Sequence, residues 1–318
     1  MIQYIKGVFY FPVLVYKYRE LWWSFVKREL KAKYEGSILG RFWPIIQPLA
    51  LFIIYYLVFA KLLKIPVSID LKPWGDLALE GAETLNTSAG GWRSTFFLVS
   101  GILPWVLISE SIMKCTGIVL ENANLIKKIS FPSEFLPFYV VVMNHIYFLI
   151  GFVIFVTIEW AVNGSLPVLL IWFPLLMLLQ ALFILGLSML AGALNIFIRD
   201  VSQVVPLLIM FWMFTSPVFY EPKVLAMIGN PMQKDFVNRV IPYLPINPVY
   251  NLLTLYRDIF KYGRTTEFED IHSGVFTVTD GGGITYHCLW IFAAQAIITF
   301  VVGYAFYLRS KGRFADEV

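Results

Sequence analysis

The chain has 318 residues, 58% hydrophobic, 17% aromatic and only 14% charged, with a mean hydropathy of +0.71. Soluble domains carry about a quarter charged residues, and a single soluble core cannot hide this much apolar surface, so the composition excludes a soluble globular protein and requires an integral membrane one. The net charge of +4 is modest. Its basic residues flank apolar segments instead of forming one field, which argues against nucleic acid as a partner.

At the N-terminus the first apolar run, Val8 to Tyr16, is short, contains Pro12 and is not followed by a small-residue cleavage site, so it does not read as a cleavable signal. From Tyr18 to Leu30, Tyr18, Leu21, Trp22, Phe25 and Leu30 share one helical face, with Glu20, Lys27, Arg28 and Lys31 largely opposite. A basic amphipathic helix with tryptophan at its apolar edge lies in the membrane interface. "YEGSILGRFWP" (Tyr34–Pro44) then bends the chain into the bilayer, with Gly36 and Gly40 permitting the turn. Residues 1–44 thus form an interfacial segment, and 45–318 a membrane domain.

About 20 apolar residues cross the hydrocarbon core as a helix. Six stretches qualify, at about 45–62, 95–115, 136–160, 170–196, 203–220 and 286–308, which predicts an all-α integral membrane fold with six transmembrane helices and both termini on one side. Lys6, Lys17, Arg19, Lys27, Arg28, Lys31, Lys33 and Arg41 precede the first span, Lys114, Lys127 and Lys128 follow the second, Arg199 follows the fourth, and Arg309, Lys311 and Arg313 follow the last. The opposite loops are longer but poorer in Lys and Arg, so both termini are expected in the cytoplasm. Two outer loops are long. One, about 66–93, carries Asp70, Asp76, Glu80 and Glu83. In the other, Ile246–Phe260 is apolar enough for short helices in the outer leaflet, and the alternating, Gly-containing stretch Thr266–His287 suggests a small extracytoplasmic β-hairpin.

Between spans two and three lies "ENANLIKKISFPSEF" (Glu121–Phe135), one or two turns of amphipathic helix stopped by Phe131-Pro132. The chain holds no GxxxxGK[ST] loop, HExxH, GxSxG or Gly-rich dinucleotide turn, so ATP binding through a Walker fold and these catalytic chemistries are not encoded here. Cys115 and Cys288 are far apart and make no metal or redox spacing. Intramembrane ionisable residues are few: Glu110, His145 and, near the outer end of span three, Glu159. Glu110 and His145 are each either functional or a satisfied buried polar group. No relay for a coupling ion is visible, so energy is expected from a separate subunit.

Four ordered blocks carry a family resemblance: Arg28–Ile65, Gly101–Pro137, Ala193–Tyr220 and Asn247–Phe260. They resemble the permeases of ABC transporters that export polysaccharides, of the O-antigen, capsule or teichoic-acid type. Most of 20–260 is covered in the right order. The resemblance implies a homodimeric permease in the inner membrane, paired with two copies of a cytoplasmic ATPase that binds ATP and Mg, and a lipid-linked glycan as cargo. It implies that the interfacial helix and the loop after span two dock on that ATPase. Segments 66–93 and 262–285 depart from compact members of the family as insertions.

On that reading Leu125, Ile126 and Ile129 would fill a cleft on the ATPase, Lys127 and Lys128 would meet its acidic rim, and Asn122 and Asn124 would cap or bond backbone groups. The alternative is a positive-inside loop that only fixes topology. A hydrated glycan needs a polar or aromatic path. Trp22, Trp23, Phe42 and Trp43 stand at its entrance, Tyr55 and Tyr56 lie within span one, and Arg28, Lys31, Lys33 and Arg41 would draw in the pyrophosphate. The same aromatics also suit an ordinary interfacial belt, and the same cations suit topology and contact with anionic membrane lipid. Rival functions are export of drugs or small lipids by a related permease, and a membrane glycosyl- or acyltransferase. The second needs an acidic metal-binding pair or a His/Asp base, whereas Asp200 stands alone and Glu269-Asp270 lies outside.

Overall fold

The computed structural model describes residues 2–33, 35–62, 88–128, 132–222, 231–260 and 284–317, and among them every regular element is helical. In chain order these are α1 (Ile2–Lys17), α2 (Arg19–Ala32), α3 (Trp43–Tyr55), α4 (Ser88–Glu121), α5 (Ala123–Lys128), α6 (Phe135–Asn163), α7 (Phe173–Phe197), α8 (Val201–Thr215), α9 (Pro231–Val240), α10 (Pro248–Ile259), α11 (Tyr286–Lys311) and α12 (Phe314–Glu317). Most of the expected hairpin, and most of the 66–93 insertion, fall outside the described residues.

Among the described residues, four helices are long and apolar enough to cross a membrane: Thr95–Glu121 of α4, α6, the run Val168–Phe197 that contains α7, and α11. The first and fifth expected spans are shorter apolar helices, Trp43–Val58 and Val201–Thr215. Past α3 the helix widens into π-type turns over Tyr56–Leu62. The helix ends are locally encoded. Gly164 closes α6 in the left-handed region (φ 73°), its N–H bonded to the Trp160 carbonyl. Gly36 and Gly40 have φ of 81° and 45° in the bend before α3, a conformation that other residues adopt only at a cost.

α4 is the central helix: 78% of its most apolar window is buried, against 44% for α6 and 33% for each of the other two long helices. It packs on α6, α7, α8 and α10. The tightest pair is α7 and α11, where a methyl group at Gly303 would overlap the Gly186 carbonyl, and one at Gly186 would overlap the Thr299 carbonyl. Only glycine allows two backbones this close, a recurrent device where apolar lipid offers no hydrophobic drive to join helices. Aromatic rings fill the neighbouring layer, with Phe152 stacked on Phe173 at 3.8 Å between centroids. The N-terminal run that sequence left unassigned is α1. Pro12 lies inside it, and Phe11 docks edge-to-face on Phe138, Phe300 and Tyr304, packing that offsets the lost backbone bond.

Candidate functional site

Two polar layers cap this apolar bundle. The first, the basic end, gathers α2, α5, the α7–α8 turn and the C-terminal end of α11. Glu29 on α2 pairs with Lys114 on α4, and Phe25 stacks on Tyr139 of α6, so the amphipathic helix is fixed to two long helices. At the α7–α8 turn, Asn195 donates to the Thr116 carbonyl at 2.9 Å and accepts from the Ser202 N–H at 3.0 Å. Glu134, before α6, is paired with Lys311 of α11 through both carboxylate oxygens at 2.8 Å.

α5 projects from this end. Asn122 bonds backbone: its amide donates to the Ile118 carbonyl at 2.8 Å, and its own carbonyl receives the Leu125 N–H at 3.0 Å. Leu125 and Ile126 are half-buried and packed on the protein's own core, while Asn124 and Lys127 are exposed. The outward face of α5 is therefore polar, with its apolar side chains turned inward. Ile129 lies outside the described residues, as does the side chain of Lys128.

The entrance residues divide in two. Trp22 donates its indole N–H to the Val15 carbonyl at 3.0 Å and sits edge-on to Phe138. Trp43 donates to the Ser37 hydroxyl at 3.0 Å, so both indoles already serve local structure. Trp23 and Phe42 are exposed, Phe42 at 67%. Arg28 lies over the Phe25 ring and Lys33 over Tyr147, Lys31 is exposed, and Tyr55 and Tyr56 are half-buried. The Arg41 side chain lies outside the described residues.

The second layer surrounds α10, at the opposite end. Asn247 begins that helix by accepting the Val249 N–H at 3.0 Å, and it also accepts from the Trp212 indole at 3.0 Å and donates to Ser216 at 2.9 Å. Tyr256 donates to Gln180 of α7 at 2.7 Å, and Gln180 donates to the Pro104 carbonyl of α4 at 3.1 Å. Arg257, 3% exposed, donates to the Pro217 and Val218 carbonyls at 2.8 and 2.9 Å and lies 3.7 Å from the Phe97 ring centre. Burial pushes its guanidinium down to about 10, against the opposing pull of Glu221, so it stays charged at neutral pH. Asp258 accepts the Thr285 N–H at the start of α11 at 2.7 Å. Asn251 donates to Gln295 of α11 at 3.0 Å, and Gln295 donates to the Pro245 and Ile246 carbonyls at 3.2 and 3.0 Å.

A profile of ABC-2 type transporters matches residues 20–230, well over half of the chain. The chain belongs to the ABC-2 type transporter family. It is 28% identical over 258 residues to the O-antigen export system permease protein RfbA of Myxococcus xanthus, covering 81% of this chain and 86% of the relative. Two O-antigen export system permease proteins RfbA of Klebsiella pneumoniae are 26% and 24% identical, each over 91% of both chains. As an ABC-2 member the chain is a membrane-embedded transport subunit, and the transferase reading gives way. The matched region runs from α2 to beyond α8, so it includes α5 and most of the basic end, whereas α10 and α11 follow it.

The polar residues within the long helices bond both between helices and within one helix. Asn144 on α6 donates to Ser111 on α4 at 3.0 Å. His145 is buried, its Nδ1–H donating to the Val141 carbonyl one turn earlier at 2.7 Å. Glu159 is buried and accepts from Asn163 at 2.9 Å, and Glu110 is half-buried on α4. Among the described residues no three His, Cys, Asp or Glu side chains cluster as metal ligands. Sequence reading missed Glu134 with Lys311, and the group Gln180, Asn247, Asn251, Arg257, Asp258 and Gln295. The available signal was an isolated polar residue in apolar surroundings, which announces a buried partner but not its address.

Proposed function

We propose that this ABC-2 protein is the permease subunit of an ATP-driven exporter that moves a lipid-linked polysaccharide across the inner membrane. The observation that carries the reading is similarity along 81–91% of the chain to three O-antigen export permeases. In this reading residues 1–44 form the cytoplasmic interfacial segment and 45–318 a six-span domain, in which α3 and α8 complete the crossing set. The Lys and Arg residues of the basic end favour a cytoplasmic location for it and for both termini. α9 and α10 then belong to the outer leaflet.

The permease works as a homodimer with two ATPase subunits that bind ATP and Mg. The exposed apolar side chains of α8, including Leu207, Phe211 and Phe214, would meet lipid or the second copy. α5 delivers the motor's stroke: Asn124 and Lys127 face outward to meet it, and Leu125 and Ile126 root the lever in the bundle. The exposed Trp23 and Phe42 offer ring faces to sugar C–H patches, and Arg28, Lys31, Lys33 and Arg41 supply charge for the pyrophosphate. Trp22, Trp43, Tyr55 and Tyr56 support that entrance and span one. Contact with anionic membrane lipid accounts for the remaining cations.

Deleting the chain from its host should remove the polymer from the cell surface and leave it accumulated inside, measured by surface immunolabelling against whole-cell polymer. Unchanged surface polymer would contradict the assignment and favour a drug or small-lipid cargo. In the assembled complex, Lys127→Glu with Lys128→Glu should preserve the fold but cut export by about tenfold or more. Normal export and normal ATPase stimulation in that variant would remove the coupling role of α5.

A further inference from the structure

α11 is bonded at one end to the loop that follows α5 and at the other to α10. We propose that α11 is the transmission rod of the protein, carrying the stroke received on α5 directly to the α10 segment on the far side. This inference rests on the reading that α5 meets an ATPase.

At the basic end, Glu134 is 3% exposed and both its oxygens lie 2.8 Å from the Lys311 ammonium. A buried carboxylate without its cation is costly, so the two are driven to move together. Four residues before Lys311, one turn back along the same face, Tyr307 is fully buried and donates to the Ser133 carbonyl at 2.9 Å. Phe314 is also fully buried, edge-on to Tyr307 at 5.1 Å, and its helix α12 packs against α5 and the end of α7. Charge, hydrogen bond and packing therefore all tie the C-terminal end of α11 to the lever and its loop.

At the other end, Asp258 holds the first turn of α11 through the Thr285 N–H. Gln295 clasps Asn251 and the Pro245 and Ile246 carbonyls. Between these points α11 is one helix of 26 residues without internal proline, roughly 39 Å long at 1.5 Å per residue. It is braced along its length by the Gly186–Gly303 backbone contact with α7. α4 also runs between the two ends, but Pro104 interrupts its backbone bonding midway. Lys311 keeps 38% of its side chain in solvent, whereas the Glu134 side chain is 4% exposed.

The test uses the full permease–ATPase complex in proteoliposomes, with spin labels reporting the distance between the two α10 helices of the dimer with and without ATP. This readout needs no cargo, so it separates the rod from the polysaccharide assignment. Glu134→Lys and Lys311→Glu should each leave ATP hydrolysis running. Each should abolish the ATP-dependent distance change and lower export per ATP about tenfold. The double exchange, Glu134→Lys with Lys311→Glu, should restore most of both, a rescue that loss of folding would not show. Gln295→Met should uncouple the far end in the same way with Glu134 and Lys311 intact. It decides the matter if the charge variants fail to assemble. Normal export per ATP in Gln295→Met, or a full distance change in either single charge variant, would overturn the rod. An ATP-dependent distance change without polymer export in the wild-type complex would overturn the cargo and leave the rod standing.

Discussion

Arg257 shows how a single side chain joins what hydropathy keeps apart. Its Nη2 reaches both the Pro217 and Val218 carbonyls just past α8, and its plane covers Phe97 on α4, so one residue of α10 fastens two membrane helices. Replacing it with methionine would keep much of the apolar contact but strand two buried carbonyls. The expected loss is about 3 kcal/mol, read as a lower midpoint of thermal unfolding in detergent. Lysine at 257 should recover only part of that, because its ammonium cannot lie flat over the Phe97 ring while also reaching both carbonyls. With the guanidinium at about 10, well above neutrality, this contribution should stay flat between about pH 5 and 8. Sequence pointed to "YRD" only as part of a family block, since nothing local says that Arg257 binds a segment 39 and 40 residues earlier.

At the scale of elements, the apolar runs were legible because membrane helices must satisfy their own backbone within one segment. Their pairing was not legible. Gly186 and Gly303 lie in separate spans, and a glycine in an apolar helix does not name the backbone it admits. Gly303→Leu would force α11 away from α7 and should cost about 3 kcal/mol or more, checked by thermal stability of the purified protein. The same change at the exposed Val302 should leave the unfolding midpoint nearly unchanged. α5 taught the reverse lesson. Its helical period was visible, yet the apolar face that sequence offered to a partner packs partly on the protein's own core through Leu125 and Ile126. An amphipathic pattern reports that one face is buried without reporting against what. Sequence left α1 unassigned, and its helix, with Pro12 inside, is supported by the docking of Phe11.

For the whole molecule, the packing of α12 and the pairing of Glu134 with Lys311 bring α5, α7 and the end of α11 together, while α10 meets the start of α11. Composition foretold a membrane protein, and the four resemblance blocks foretold the family. The two polar layers needed tertiary structure, because their bonds between elements reach up to 177 positions along the chain. Lys127→Cys and Phe236→Cys should be labelled from opposite faces of the membrane by an impermeant maleimide, Lys127→Cys only after the cytoplasmic face is opened. Native Cys115 and Cys288 are both buried and should give little background. Labelling of both positions from one face would refute the topology.

The pairing of Glu134 with Lys311 spans 177 positions, and this has a consequence for biogenesis. When α6 enters the bilayer during synthesis, the carboxylate that will be buried beside it has no cation, and the glycine groove of α7 has no helix to fill it. Both wait for the last stretch of the chain. A nascent protein is therefore marked as unfinished by its own exposed charge and open groove until α11 arrives. Chains truncated before Tyr286 should be cleared rapidly by membrane proteases, whereas complete chains persist, a difference that pulse-chase labelling would resolve.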